Sequence, residues 1–284
     1  MISIEKMMEF KQPFISAASG LVESNGKFFV VADDENFLAI YDQRTHIGQV
    51  SQVFNEILPN EKALRKKKKH DIEALVLLPQ QNKLLLVPSG STPARQRGAI
   101  MGQSGQFEKE VSFHHLFFEL SKEFSEINIE GGVVIGDELY LFQRGNGPKN
   151  QNGIIILSLV AFLSNQKLKF KILPIDLGTL EGINLSFTDA TVAGNKILFL
   201  AVAEDSNSTY LDGQVAGSVL GMMNPRGEIL CTTPLATSSK PEGLCYSSSE
   251  KFFYVVTDDD NRELPSSLFR GYLPAEWTPH MISD

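Results

Sequence analysis

Several protein classes are excluded by what this sequence of 284 residues lacks. It has only two cysteines, Cys231 and Cys245, too few for a disulfide framework, and we expect both to be small buried residues of strands. No stretch approaches the roughly 18 consecutive apolar residues of a membrane span. The first residues, MISIEKMMEFKQPF, contain no apolar segment of a secretory signal. We therefore expect a cytoplasmic protein that does not bind membranes.

Basic residues are in the minority. Lysine and arginine number 26 against 34 aspartates and glutamates, which gives a net charge of −8 and a pI near 5.3. A protein that binds nucleic acid neutralises phosphates with a basic face. The charge balance therefore argues against nucleic acid as the main partner, and we expect a monomer.

A short pattern recurs five times along the chain, each time with an oxygen-bearing side chain at its key position. The segments are AASGLV at Ser19, DIEALV at Glu73, NIEGGV at Glu130, FTDATV at Asp189 and KPEGLC at Glu242. Successive key residues lie 54, 57, 59 and 53 positions apart. A period of this size indicates stacked repeats of one supersecondary unit.

Each repeat contains the material for four strands. A tight turn such as ESNGK at 23–27 or VAGNK at 192–196 follows the motif, and a second apolar strand, a polar loop and a third strand come next. A fourth strand is visible in segments such as FEKEVSF and EILCTTPL. The pattern predicts an all-β fold, a five-bladed β-propeller of four-stranded antiparallel blades. The blades would begin near residues 16, 70, 127, 186 and 239 of a single domain spanning 1–284.

The fifth repeat lacks its fourth strand, because only AEWTPHMISD follows its third. The segment 2–10 precedes the first motif and has no blade of its own. We expect it to supply the missing outer strand and to close the ring, which removes open sheet edges. One segment, 112–124, has helical spacing and predicts a short amphipathic insertion in which His114 and His115 are surface residues.

If the repeats form a ring, their five oxygen ligands converge on its axis. At about 6 Å and an effective dielectric of about 20, each pair of carboxylates repels by roughly 3 kcal/mol. A bound cation, basic side chains or protonation must therefore neutralise the ring. Oxygen ligands favour Ca²⁺, with Mg²⁺ as the alternative. The expected metal ligands are Ser19, Glu73, Glu130, Asp189 and Glu242.

The loops on the motif face are longer and more charged than the turns on the opposite face, which is typical of a functional face. A phosphoester hydrolase would need cations for phosphate and groups that transfer protons. The candidate catalytic residues are Arg144, His70, Lys240 and Asp34. The candidate substrate-binding residues are Arg95, Arg97, Asn146, Glu204 and Asp258. The basic run at 65–70 is interpreted either as a solvated loop or as a basic flap over the acidic face.

The order Ser, Glu, Glu, Asp, Glu resembles the axial calcium ring of the apyrase-type calcium-activated nucleotidases, where the order is Ser, Glu, Glu, Ser, Glu. The loop AEDSNSTYLDGQVAGSVLG also resembles the long fourth-blade loop of that family. This resemblance implies a five-bladed propeller in which the five ring residues ligate Ca²⁺, with Asp189 in place of a hydroxyl. The segments VADDEN, NIEG with QRGN, FTDA and KPEG with VTDDD are similar to an uncharacterised bacterial propeller family grouped with phytase-like esterase domains.

Three functions are compatible with these features. The first is a Ca²⁺-dependent phosphoester hydrolase that acts on a small anionic metabolite. The second is a non-catalytic module that binds a small polar ligand and holds a structural axial cation. The third is another metal-dependent hydrolase, of lactones or esters. The arginines on the motif face favour the first, but the fold itself does not decide between them.

Overall fold

The structure, a computed structural model, describes residues 1–145, 147, 149–205, 214–277 and 280–281. Within these residues three short α-helices have defined bounds, α1 (Lys62–Lys68), α2 (His114–Leu120) and α3 (Leu159–Leu163). Nearly all other regular structure is β-strand. None of the helices in the described part is long and apolar enough to cross a membrane.

Three sheets have four antiparallel strands each, which follow one another in chain order. The first contains β2 (Ala18–Ser24), β3 (Lys27–Ala32), β4 (Phe37–Asp42) and β5 (Gly48–Gln52). The second contains β6 (Ile72–Leu78), β7 (Lys83–Pro88), β8 (Arg97–Gly102) and β9 (Phe107–Ser112). The third contains β10 (Ile129–Ile135), β11 (Glu138–Gln143), β12 (Gly153–Ser158) and β13 (Phe170–Pro174). Tight turns with glycine or asparagine at positive φ, such as Asn25-Gly26, connect several of the hairpins.

The remaining strands form one nine-stranded sheet with two antiparallel parts. One part contains β14 (Thr179–Leu180), β15 (Ile183–Ala193), β16 (Lys196–Asp205), β17 (Gln214–Met223) and β18 (Ile229–Ala236). The other contains β19 (Lys240–Ser247), β20 (Phe252–Asp258), β21 (Ser267–Tyr272) and β1 (Ile2–Glu9). β1, which contains most of the predicted segment 2–10, pairs antiparallel with β21. It also pairs in parallel with β18, through Ile2 and Ser3, and so joins the two parts.

The strands that carry the recurring motif, β2, β6, β10, β15 and β19, are each in contact with the next, and β19 is in contact with β2. They enclose an axial cavity of about 270 Å³ that is lined mainly by apolar side chains of all five strands. Five hydrophobic clusters fill the spaces between successive groups of strands. The protein is therefore all-β, and its sheets surround a central channel as in a β-propeller.

Candidate functional site at the polar mouth of the channel

Each motif strand contains a β-bulge at the recurring position. At this position one residue of the motif strand has no partner in the pairing with the strand that follows it. Such a bulge changes the direction in which the side chain points. The bulge residues are Ser19, Glu73, Glu130, Thr188 and Glu242. The fourth member is thus Thr188 rather than the predicted Asp189, and the recurring set is Ser, Glu, Glu, Thr, Glu.

Two hydrogen bonds support this assignment. The Ser19 hydroxyl donates to the carbonyl oxygen of Ile72 at 2.6 Å, and the Thr188 hydroxyl donates to that of Pro241 at 2.8 Å. In both cases the acceptor immediately precedes the next ring glutamate. The two hydroxyl residues therefore occupy equivalent places and tie neighbouring motif strands together.

Asp189 has a different environment from the one predicted for a ring residue. Asp189 is the residue immediately after the bulge in β15. At the equivalent position in three other motif strands lie Gly20, Gly131 and Gly243, which pack against the backbone of a neighbouring motif strand. One carboxylate oxygen of Asp189 accepts from its neighbour Ala190 N–H at 2.7 Å, and the other accepts from Leu244 N–H at 2.6 Å. Burial nevertheless raises the pKa of Asp189 well above its usual range. Asp189 thus links β15 to β19, and both of its oxygens are engaged by backbone amides.

The acidic side chains at the mouth divide into two clusters with their own cations. In the Lys69 cluster (Lys69, Asp33, Asp71 and Glu73), the Lys69 ammonium binds Asp33 and lies 2.7 Å from Asp71 Oδ1. Arg95 Nη1 lies 2.7 Å from the other oxygen of Asp71. Burial opposes the charge on Lys69, but the carboxylates of Asp33 and Asp71 outweigh it and raise the Lys69 pKa.

In the Arg144 cluster (Arg144, Lys240, Glu130, Glu204 and Glu242), two basic side chains face three carboxylates. Arg144 binds Glu204 and lies 3.2 Å from Glu130 Oε1. Lys240 Nζ lies 2.8 Å from Glu242 Oε1. All five residues are buried, so these ion pairs are screened little by water. The ring carboxylates on this side of the channel are therefore neutralised by the protein itself.

The two clusters belong to one electrostatic centre. Burial, opposed by Arg144 and reinforced by Glu242, raises the pKa of Glu130 to about 7. Burial, reinforced by Asp71 and Glu130, raises the pKa of Glu73 well above its usual range. Burial, opposed by Lys69, raises the pKa of Asp33 to about 6. The carboxylates therefore lie near enough to disfavour each other's charge, which agrees with the predicted convergence of the ring glutamates.

Asp258 lies on the same side of the channel, paired in register with Lys240. Burial, reinforced by Asp33 and Asp260, raises its pKa well above the usual range. Together with the two clusters and Arg95 it gives the mouth seven carboxylates against four cationic side chains. With every group ionised, three negative charges have no cationic counterpart among these residues.

A cleft opens beside the Lys69 cluster, between the loop after β3, α1 and the loop after β20. Its lining combines acidic residues with the basic residues Lys62, Arg65, Lys66, Lys69 and Arg262. Arg65 anchors α1: it is buried, its Nε donates to Asp34 O at 2.9 Å, and its Nη2 lies 2.5 Å from Glu35 Oε1. The basic run is therefore not a solvated loop. Its residues 65–68 form the end of α1, and Lys66 and Lys69 line the cleft.

Two sets of residues are candidates for a metal site. The predicted five-residue ring does not fit an axial Ca²⁺, because Asp189 is bound to amides and Arg144 and Lys240 already face Glu130 and Glu242. The oxygens of Asp33, Asp71 and Glu73 fit better, since they lie within 4.8 Å of one another. Ligands around a Ca²⁺ at about 2.4 Å have separations up to that size. The Lys69 ammonium competes with a metal for Asp33 and Asp71.

Several predicted residues lie away from the mouth or have structural partners. His70 is buried, its ring is stacked on Phe54 at a centroid distance of 3.9 Å, and its Nε2 lies 3.5 Å from Glu56. Burial lowers the pKa of His70. Arg97 is partly exposed, and its guanidinium lies 2.7 Å from Glu56 and 2.6 Å from Glu110. Neither side chain has a contact with the ring carboxylates among the described residues.

The remaining candidates line the cleft, support the Lys69 cluster or lie outside the described residues. Arg95 supports Asp71, and its second Nη donates to the carbonyl oxygen of Lys66 at 2.9 Å. Asp34 lines the cleft, and its Oδ2 lies 3.1 Å from Arg262. Asn146 lies outside the described residues, as do residues 206–213 of the predicted fourth-blade loop.

The sequence interpretation missed Lys69, Asp71 and Thr188 and ranked Asp33 below Asp34. Asp71 could not be recognised from the sequence because its backbone has a positive φ of 59°, which the sequence pattern does not reveal. Aspartate tolerates this conformation better than most residues. Lys69 was hidden inside a basic run. The adjacent letters Thr and Asp in FTDATV gave no local signal for choosing between them.

Comparison with known proteins identifies the family but no activity. Residues 14–273 match the model of a family of unknown function, DUF6929, and the chain belongs to that family. A search of curated proteins finds no sequence that matches.

Solved structures resemble the chain in fold. The glutaminyl cyclase of Myxococcus xanthus is 12% identical with a TM-score of 0.55, and the match covers 96% of this chain and 98% of that one. The WD40 domain of Neurospora crassa Pan2 is 7% identical (TM-score 0.49), with 96% and 95% covered. The hydrazine synthase of Kuenenia stuttgartiensis is 13% identical (TM-score 0.44); the match covers 86% of this chain but only 56% of that one. At these identities the first likeness supports a shared fold and nothing about the reaction.

Proposed function

We propose that the chain is a single five-bladed propeller in which the two parts of the nine-stranded sheet are separate blades bridged by β1. The closed circuit of contacts among the five motif strands supports this division. The five hydrophobic clusters support it as well, because one of them joins residues of β20 and β21 to residues of β2, β3 and β4.

We further propose that the polar mouth binds a divalent cation, Ca²⁺ or alternatively Mg²⁺, and that the protein hydrolyses a phosphoester of a small anionic metabolite. The convergence of Asp33, Asp71 and Glu73 oxygens within 4.8 Å is the observation that carries this proposal. The excess of carboxylates over cations at the mouth adds to it, because a buried excess of one charge favours binding of the opposite charge. When bound, the cation would polarise a phosphoryl oxygen and lower the pKa of a water ligand.

The side chains of the cleft would hold and orient the substrate. Lys62 and Lys66 on α1, together with Arg262, line the cleft alongside its acidic residues. Cationic side chains of this kind bind phosphate oxygens. Arg144 and Lys240 have carboxylate partners and would instead fix the position of the ring glutamates.

The decisive experiment measures phosphate release from a panel of nucleotides and other phosphomonoesters, with Ca²⁺ or Mg²⁺ and with a chelator. Wild type, Glu73→Gln and Lys62→Gln are compared, with Glu123→Gln, an exposed position beyond α2, as the matched control. Turnover should need the cation and fall by at least about 100-fold in Glu73→Gln. In Lys62→Gln the KM should rise while the control stays unchanged. Turnover that persists in the chelator or in Glu73→Gln contradicts the proposal.

A binding module without turnover is the second candidate. It is favoured by the position of Lys69, whose ammonium already bridges Asp33 and Asp71 as a built-in cation. In that case the same panel gives no phosphate, while ligands protect the fold against heat through the usual linkage between binding and stability. Hydrolysis of lactones or esters alone would instead favour the third function.

A further inference from the structure

A further pocket lies between α2 and the loop that follows β7, and Ser91 in its lining donates to Asp71 of the Lys69 cluster at 3.3 Å. Its volume is about 340 Å³, within the range of small-molecule sites. We call it the α2 pocket. The rings of Phe117 and Phe124 are buried there, and the ring of Phe118 is exposed. Phe118 therefore offers aromatic surface to a ligand, and Phe117 and Phe124 form part of the buried wall of the α2 pocket.

Most polar side chains of the α2 pocket already have partners. The Ser121 hydroxyl donates to Phe118 O at 2.8 Å, and the Ser125 hydroxyl donates to Gln151 at 3.2 Å. His114 Nδ1 lies 2.7 Å from Gln96 Oε1. A ligand rich in hydroxyl groups, such as a sugar, would find few free partners on these side chains.

Glu126 is the exception. Its Oε2 is buried and has no hydrogen-bond partner among the described residues. No lysine or arginine lines the α2 pocket within that part of the chain. A buried carboxylate oxygen without a donor is costly, and the most favourable partner is a charged N–H group. The α2 pocket thus combines an unsatisfied anion with apolar rings.

The ring of Phe118 already attracts an ammonium group from the solvent side. Lys122 Nζ lies 4.8 Å from its centroid, while the same ammonium is 2.7 Å from Glu119. The face of an aromatic ring binds cations through its quadrupole. A ligand that places a positive nitrogen at Glu126 and an apolar body against the phenylalanines would satisfy both features.

We infer that the α2 pocket binds a small organic ammonium compound, a protonated amine with an apolar or aromatic body. Glu126 accepts its N–H groups, and Phe117, Phe118 and Phe124 contact its body. The lining of this site adjoins the Lys69 cluster through Ser91 but contains none of the proposed metal ligands, so the inference does not depend on the proposed hydrolysis.

The test uses calorimetric titration of the whole protein with benzylamine, which is protonated at neutral pH, and with its neutral isostere benzyl alcohol. Benzylamine should bind at least about tenfold more tightly, as expected for a charge-assisted hydrogen bond to a buried carboxylate. Glu126→Gln should abolish this preference, and Phe118→Ala should weaken binding of both compounds. Glu123→Gln, on the same segment but outside the pocket, is the matched control and should behave as wild type.

Glu73→Gln distinguishes the α2 pocket from the acidic mouth, which could also attract an amine. If that variant loses benzylamine binding while Glu126→Gln keeps it, the inference is wrong. Equal affinity for the two probes, or no binding of benzylamine, also overturns it. Thermal melting of Glu126→Gln checks that the variant is folded, and Phe118→Ala provides an independent reading because its ring is exposed.

Discussion

The carboxylate of Asp189 accepts a hydrogen bond from the backbone N–H of Leu244, 2.6 Å away on the neighbouring motif strand. At the equivalent place in three other motif strands a glycine lies against the neighbouring backbone. At this position the contact between β15 and β19 therefore includes a side-chain hydrogen bond, whereas in those three strands a glycine permits close backbone approach.

Removing this side chain should destabilise the protein. Asp189→Ala leaves the buried N–H groups of Ala190 and Leu244 without acceptors, and each such loss costs about 1–3 kcal/mol. Asp189→Asn retains one acceptor oxygen and should cost less. Thermal or urea unfolding measures both, with the exposed Asp259→Ala as control. If Asp189→Ala unfolds like wild type, Asp189 does not link the two strands.

Arg144 should be essential for the stability of the ring. Arg144→Gln leaves Glu130 and Glu204 as buried charges without their cation, a change that typically costs about 3–5 kcal/mol. Added Ca²⁺ should raise the melting temperature of this variant more than that of wild type, because the vacated space then favours an external cation. Arg97→Gln is the matched control: its ion pairs are exposed and worth at most about 1 kcal/mol. Equal losses in the two variants would contradict the proposed role of Arg144.

The stability of the protein should depend on pH through Glu130. Its pKa rises from the ordinary 4.5 to about 7 on folding, so the folded state binds its proton more tightly than the unfolded state. The resulting stabilisation is fully present below about pH 4.5 and is lost as the pH rises through 7. Glu130→Gln cannot titrate and should lack this decline. Unfolding free energies of both proteins between about pH 5 and 8 provide the measurement, and parallel curves would refute the assignment.

Deleting residues 1–9 should weaken the fold. β1 is hydrogen-bonded to both β18 and β21, and its removal exposes two strand edges at once. We expect a lower melting temperature and aggregation, measured by light scattering during heating. Glu5→Ala is the control, since it removes only an exposed ion pair with Arg270 and keeps the strand. A truncated protein that remains monomeric and melts like wild type would show that β1 is dispensable.

The strands were predictable because their signals are local. Apolar segments such as KFFVVA and ELYLFQ coincide with β3 and β11, and the turn residues between them are visible in the sequence. The convergence of the ring glutamates was also predictable, since equal spacing in the repeats implies equal placement in the fold. The position of Thr188, and not Asp189, in the ring was not predictable from the sequence. It depends on which residue of β15 forms the bulge in its pairing with β16.

The sequence predicted that the charge of the ring carboxylates must be neutralised, but it did not distinguish basic side chains from a bound cation or protonation. Arg144 was expected to bind phosphate, but its side chain turns inward to Glu130 and Glu204. Lys69 was one of several lysines in a basic run, and only the packing of α1 through Arg65 brings it to Asp33 and Asp71. Such outcomes depend on the relative placement of distant segments, which repeat spacing does not encode.

The double pairing of β1 also constrains the order of events during synthesis. Its residues leave the ribosome before those of β2 to β21, and both of their partners, β18 and β21, lie more than two hundred residues later. β1 therefore cannot form its native pairing until β18 and β21 have been synthesised. Until then its backbone hydrogen-bonding groups are unpaired and can pair with other strands, including those of neighbouring chains.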